Sequence, residues 1–99
     1  MKVQMHSVHF NADKKLIDFI QKKVNKLETF YDRITGGEVI MKLDNNESRE
    51  NKVIEVKLFI PGTILFAKEQ AKTFELAINL AVENLSRQVV KFKEKQVAY

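Results

Sequence analysis

The chain has 99 residues, 44% of them hydrophobic, with no cysteine, a formal net charge of +4 and a pI near 9.4. Without cysteine, a disulfide framework and a thiolate metal site are both excluded. No stretch approaches the ~20 apolar residues of a membrane span, and Met1-Lys2-Val3-Gln4-Met5-His6 alternates in polarity with no signal-like apolar run, so a cytoplasmic protein of one domain, residues 1–99, is expected.

Residues 2–9 alternate over a length suited to a first strand, with Val3 and Met5 on one face and His6 and Val8 on the other. Asp13 stands where a helix N-cap belongs, its carboxylate able to accept from the unpaired N–H groups of the first turn. From there Leu16, Ile20, Val24, Leu27 and Tyr31 recur at steps of four and three, which predicts one apolar face of a helix of about five turns. Gly36-Gly37 closes the connection that follows, since glycine admits positive φ at low steric cost. Residues 38–43 read as a second strand, with Val39, Met41 and Leu43 inward. The polar run 44–51 is a loop. A third strand at 53–60 alternates Ile54, Val56, Leu58 and Ile60 with Glu55, Lys57 and Phe59. Pro61-Gly62 is a turn signal, and a fourth strand from Thr63 to about Glu69 completes a hairpin. The last helix runs from Thr73, its N-cap, to about Lys95, with Phe74, Ile78, Ala81, Leu85 and Phe92 sharing a face.

The order β-α-β-β-β-α predicts an α+β two-layer sandwich, a four-stranded sheet with two helices on one face. One sheet with an apolar face needs covering, and two amphipathic helices of this length cover it.

The charge is segregated. Residues 14–33 hold six Lys/Arg against three Asp/Glu and residues 84–99 hold four against one, whereas 34–83 hold six against eight. Arg87, Lys91 and Lys95, four apart, share one helical face, and Lys15, Lys22, Lys26 and Arg33 make a second row on the first helix. The Arg87 row is expected about a quarter-turn from the apolar face of its helix, along the groove where the two helices meet. Two basic rows point to a polyanion, and phosphate recognition needs mainly positive charge and donors. Lys14, Lys57 and Lys72 read as solvated lysines. Phe19, Phe30, Tyr31 and Phe59 are aromatics of the kind that stack on unpaired bases, but they are read here as core or edge residues.

No catalytic constellation is present. His6 and His9, at i and i+3 on a strand, point to opposite faces and have no carboxylate or thiol in a metal-ligand spacing, so no metal is expected. Ser7, Ser48 and Ser86 lack a nucleophile motif, and neither phosphate-binding glycine pattern occurs. No cofactor and no small-molecule substrate are implied.

Three stretches carry a resemblance. Val24-Asn25-Lys26-Leu27-Glu28 closes the first helix, Pro61-Gly62 is followed by Phe66-Ala67-Lys68, and the last helix reads Ala77-Ile78-Asn79-Leu80-Ala81-Val82-Glu83-Asn84-Leu85-Ser86-Arg87-Gln88-Val89-Val90-Lys91-Phe92-Lys93-Glu94-Lys95. Together, and in element order over nearly the whole chain, they resemble the short ribosome hibernation promoting factor and ribosome-associated inhibitor family. The resemblance implies a non-enzymatic protein that binds the small ribosomal subunit between head and body, contacts 16S rRNA across the tRNA and mRNA sites, inhibits translation by occupancy and preserves idle ribosomes in stationary phase and stress. It also implies a protein that is monomeric off the ribosome, without the second domain that long members use to pair ribosomes. Basic residues on both helices face rRNA phosphate in the family pattern. The matching positions here are Lys22 or Lys23, Lys26, Arg87, Lys91 and Lys95.

The chain departs from the pattern at Asn84, where lysine is common, and at Thr73 and Glu75, where Asp and Tyr are common. Thr73 can still cap the helix; Glu75 removes an aromatic. Two other readings compete: a double-stranded RNA-binding module, which the terminal β-β-β-α run resembles, and a small α/β enzyme or oligomeric scaffold. Lys2 disfavours a tautomerase, which needs proline there.

Overall fold

The computed structural model describes residues 1–44 and 49–97. In chain order it contains strand β1 (Lys2–Val8), helix α1 (Lys14–Asn25) continued by a 3-10 turn (Lys26–Thr29), strands β2 (Gly36–Leu43), β3 (Lys52–Ile60) and β4 (Thr63–Ala71), and helix α2 (Phe74–Val97). The strands form one sheet in the order β1-β2-β3-β4. β1 runs parallel to β2, which demands the crossover that α1 supplies, and the other pairs are antiparallel. Within the expected 44–51 loop, residues 45–48 lie outside the described residues.

Alternation decides which side of the sheet is buried. Val39 and Met41 of β2 stand opposite Val56 and Ile54 of β3, and all four are fully or almost fully buried. Val3 and Met5 of β1 pack against the same core from the edge. Both helices lie on this face: Ile20, Val24 and Leu27 come from α1 and its 3-10 extension, and Ala77, Ile78, Ala81, Leu85 and Val89 come from α2, all at zero exposure. No polar or charged side chain is buried among the described residues, so desolvation is spent on apolar groups alone. The opposite face of the sheet carries polar and charged side chains that meet diagonally between strands, with His6 Nε2 3.4 Å from Glu38 Oε2 and Lys42 paired to Glu55. Val53, on that outer face, is nonetheless buried.

Both N-caps form as expected. Asp13 Oδ1 accepts from the Leu16 N–H at 2.9 Å, and Thr73 Oγ1 accepts from the Leu76 N–H at 3.0 Å. The loop after β1 is fixed to the start of α2 by Phe10 stacked on Phe74, centroids 5.1 Å apart. Pro61 and Gly62 join β3 to β4 as a two-residue turn between the paired Ile60 and Thr63. Gly62 takes φ +85°, which its lack of a Cβ permits.

Four expectations are corrected. Leu43, expected inward beside Val39 and Met41, is 41% exposed at the last position of β2. The first helix does not run for five turns: it tightens at Lys26 and ends at Thr29. There the Thr29 hydroxyl donates to the Lys26 carbonyl at 2.7 Å and the Phe30 N–H to the Leu27 carbonyl at 3.1 Å, taking up acceptors that another α-turn would have used. Gly36 and Gly37 are not the end of a connection but the first two residues of β2, buried between β1 and β3. A Cβ would lie 3.0 Å from the Lys2 carbonyl oxygen at Gly36 and 3.1 Å from that of Lys57 at Gly37, so these are close backbone approaches. The first strand stops at Val8, leaving His9 outside it at φ +65° rather than on the face opposite His6.

Candidate nucleic-acid interface

The two helices lie side by side, and the line between them on the solvent side is a groove. One wall comes from α1 and the 3-10 turn. Because Ile20, Val24 and Leu27 fix the inward face, Lys23 and Lys26 fall at successive steps around the helix toward α2. Lys23 is half-buried with its Nζ 5.3 Å from the Phe19 ring centroid, a cation–π contact that lays the stem along the helix. Lys26 is exposed. The other wall is the side of α2 that carries Val82, Ser86, Val90 and Lys93.

Three adjoining concavities make up this groove. The first is bounded by Lys23, Lys26, Val82 and Ser86, the second by Ser86, Arg87, Val90 and Lys91, the third by Thr29, Val90, Lys93 and Glu94, and Phe30 lines all three. Glu83 and Glu94 are the carboxylates among the lining residues, against the cations Lys23, Lys26, Arg87, Lys91 and Lys93. Arg87 Nη1 donates to Glu83 Oε1 at 3.1 Å, an exposed i, i+4 pair that holds the guanidinium at the rim. Such pairs contribute little stability, so the arginine stays available for phosphate, which its planar fork suits.

The sequence-derived site residues separate into two groups. Lys23, Lys26, Arg87 and Lys91 are brought together on the groove. Lys22 and Lys95 are exposed but do not line it. Nor does the Arg87 row lie a quarter-turn from the apolar face. At about 100° per residue Arg87 stands half a turn from Ile78 and Leu85, and its side chain is 65% exposed. Residues four apart advance by about 40° per step, so the row drifts across the crown of α2 and Lys95 ends on the side away from α1.

Sequence reasoning missed Lys93 and misread Phe30. Lys93 is off the Arg87 row, but it is seven residues from Ser86 and three from Val90, a spacing that places all three on the α1 side of the helix. Its Nζ donates to the Phe30 carbonyl at 3.3 Å. Phe30, taken as a core or edge residue, is 41% exposed in the groove.

The Asn84 departure lies elsewhere. Its side chain bridges α2 to β4, donating to Glu69 Oε2 at 3.3 Å and accepting from Gln88 Nε2 at 2.8 Å, while that same Gln88 nitrogen donates to the Phe66 carbonyl. Asparagine here serves the helix–sheet contact rather than the groove. Glu75 is exposed in the first turn of α2, where a carboxylate suits the positive end of the helix dipole. Among the described residues no group of three or more histidines and carboxylates could hold a metal, and no helix is long and apolar enough to cross a membrane.

A small α+β domain whose paired helices leave a cationic groove facing solvent is the class these features define. The family model described as Sigma 54 modulation protein / S30EA ribosomal protein matches residues 3–97, and the chain belongs to that family. It is 31% identical over 97 residues to the ribosome hibernation promoting factor of Azotobacter vinelandii, an alignment covering 98% of this chain and 87% of that one. A ribosome hibernation promotion factor of Deinococcus radiodurans is 34% identical over 80 residues, 79% of this chain and 41% of its own length. Among solved structures, a ribosomal subunit interface protein from Coxiella burnetii superposes with a TM-score of 0.83 at 19% identity, covering 95% of this chain and 99% of that one. The N-terminal domain of Thermus thermophilus Protein Y gives 0.81 at 22% identity, over 93% and 99%. At these identities the structural likeness shows the shared fold.

Proposed function

We propose that the chain is a ribosome hibernation factor that binds the small ribosomal subunit through the groove between α1 and α2, lying over 16S rRNA in the decoding channel. Occupancy excludes mRNA and tRNA there, without any chemical step. The observation that carries this reading is the groove itself: cations from both helices converge on one surface, in a chain whose relatives are named for ribosome hibernation. Phosphate contacts of this kind bind by charge and donor geometry and need no base-specific readout.

Sedimentation of the tagged protein with cell lysate through a sucrose gradient tests it. Migration with small subunits or whole ribosomes is the expected result; recovery only at the top of the gradient refutes it. Binding free duplex RNA as tightly as intact small subunits would favour the double-stranded RNA module instead.

A further inference from the structure

An isolated exposed aromatic is ordinary on a protein surface, but Phe30 is held in place without being buried. Its N–H donates to the Leu27 carbonyl at 3.1 Å, and its own carbonyl accepts from Lys93 Nζ at 3.3 Å, across 63 residues of sequence. The next residue, Tyr31, turns inward and packs edge-on against Phe92, centroids 5.9 Å apart at 74°. Phe30 thus presents its ring from a backbone fixed on both sides, with Val90, itself 39% exposed, beside it in the groove. Lys23 and Lys26 stand on the α1 wall, and Arg87 and Lys91 stand on the crown of α2 at the opposite rim.

An apolar ring between two sets of cations matches the chemistry of an unpaired nucleotide, which offers a flat base to the ring and phosphates to the cations on either side. A duplex offers phosphates but keeps its base faces stacked inside. An acidic peptide answers the charge and leaves the ring without a planar partner. We propose that Phe30 is a stacking platform for an unpaired base, so that the groove takes single-stranded RNA in preference to duplex. The proposal rests on the reading of this groove as an RNA-binding surface and names the form of RNA that it selects.

The chain contains no tryptophan, so Phe30→Trp places a single indole in the groove as a reporter of stacking. The probes are a short oligoadenylate, an RNA duplex of the same length, and poly-glutamate. Oligoadenylate is expected to quench the indole, while duplex at saturation leaves its emission nearly unchanged. Phe30→Leu, which keeps apolar bulk and loses the π-face, is expected to weaken oligoadenylate binding about tenfold and leave duplex binding and the melting temperature near the parent's. Parental affinity of Phe30→Leu for oligoadenylate overturns the proposal. So does equal quenching by duplex or by poly-glutamate. The indole readout stands whether or not the leucine variant folds. If the parent binds ribosomes and Phe30→Leu binds ribosomes and oligoadenylate equally well, the stacking proposal alone fails; a parent that binds neither RNA nor ribosomes refutes the underlying reading as well.

Discussion

Removing Arg87 and Lys91 together separates binding from folding, because the structure assigns these side chains to the surface. Arg87 is 65% exposed and its partner in the fold is Glu83 at 3.1 Å; Lys91 is exposed on the same crown. An exposed i, i+4 pair contributes about 0.3–0.5 kcal/mol. For a domain of this size 1 kcal/mol moves Tm by about 4–8 °C, so Arg87→Ala with Lys91→Ala is expected to lower Tm by no more than about 2–4 °C. Binding should respond more strongly. Each phosphate neutralised contributes about −0.7 to −0.9 to the slope of log K against log salt, so losing two contacts makes that slope shallower by about 1.4–1.8. The arginine change also frees Glu83, leaving an uncompensated carboxylate at the groove rim. The assay is a titration of small subunits with parent and variant over a range of KCl, alongside circular dichroism melts. Unchanged affinity and an unchanged salt slope refute the assignment of this wall to phosphate; a fall in Tm of more than about 10 °C shows that the pair is structural. Lys22→Ala with Lys95→Ala, which changes cations outside the groove, should alter the slope less.

Ile78→Ala or Leu85→Ala empties a fully buried site and should cost about 2–5 kcal/mol; a melt like the parent's would show that the buried face of α2 is misplaced. Thr73→Ala removes the acceptor for the Leu76 N–H and should cost about 1 kcal/mol, whereas Thr73→Asp keeps the cap and should melt at or above the parent's temperature. Gly37→Ala forces a Cβ to 3.1 Å from the Lys57 carbonyl oxygen and should destabilise by about 1–3 kcal/mol, read by urea denaturation; parental stability would mean that β2 and β3 move apart freely. In cell-free translation the protein should inhibit more when added before initiation than after, with relief by excess mRNA and initiator tRNA, and equal inhibition in either order would place its action outside the decoding channel.

Local chemistry determined the elements. The caps at Asp13 and Thr73, the alternation of Ile54, Val56, Leu58 and Ile60, and the Pro61-Gly62 turn are decided by residues within a few positions of one another, and each forms as the sequence predicts. The cationic character of both helices was equally legible, because helical spacing places side chains on a face before any tertiary contact exists. What the sequence left undecided depends on partners far along the chain. Gly36 and Gly37 read as the end of a connection until β1 and β3 close on both sides of them. Phe30 and Tyr31 are adjacent aromatics, and nothing local says which turns in; Phe92 and Lys93 of α2 take Tyr31 at the ring and Phe30 at its backbone. The 40° drift of residues spaced by four carries Lys95 away from the groove while Lys93 enters it. Which cations share a surface is therefore set by the packing of α2 beside α1, because a row on one helix becomes a site only where a second helix supplies the opposite wall.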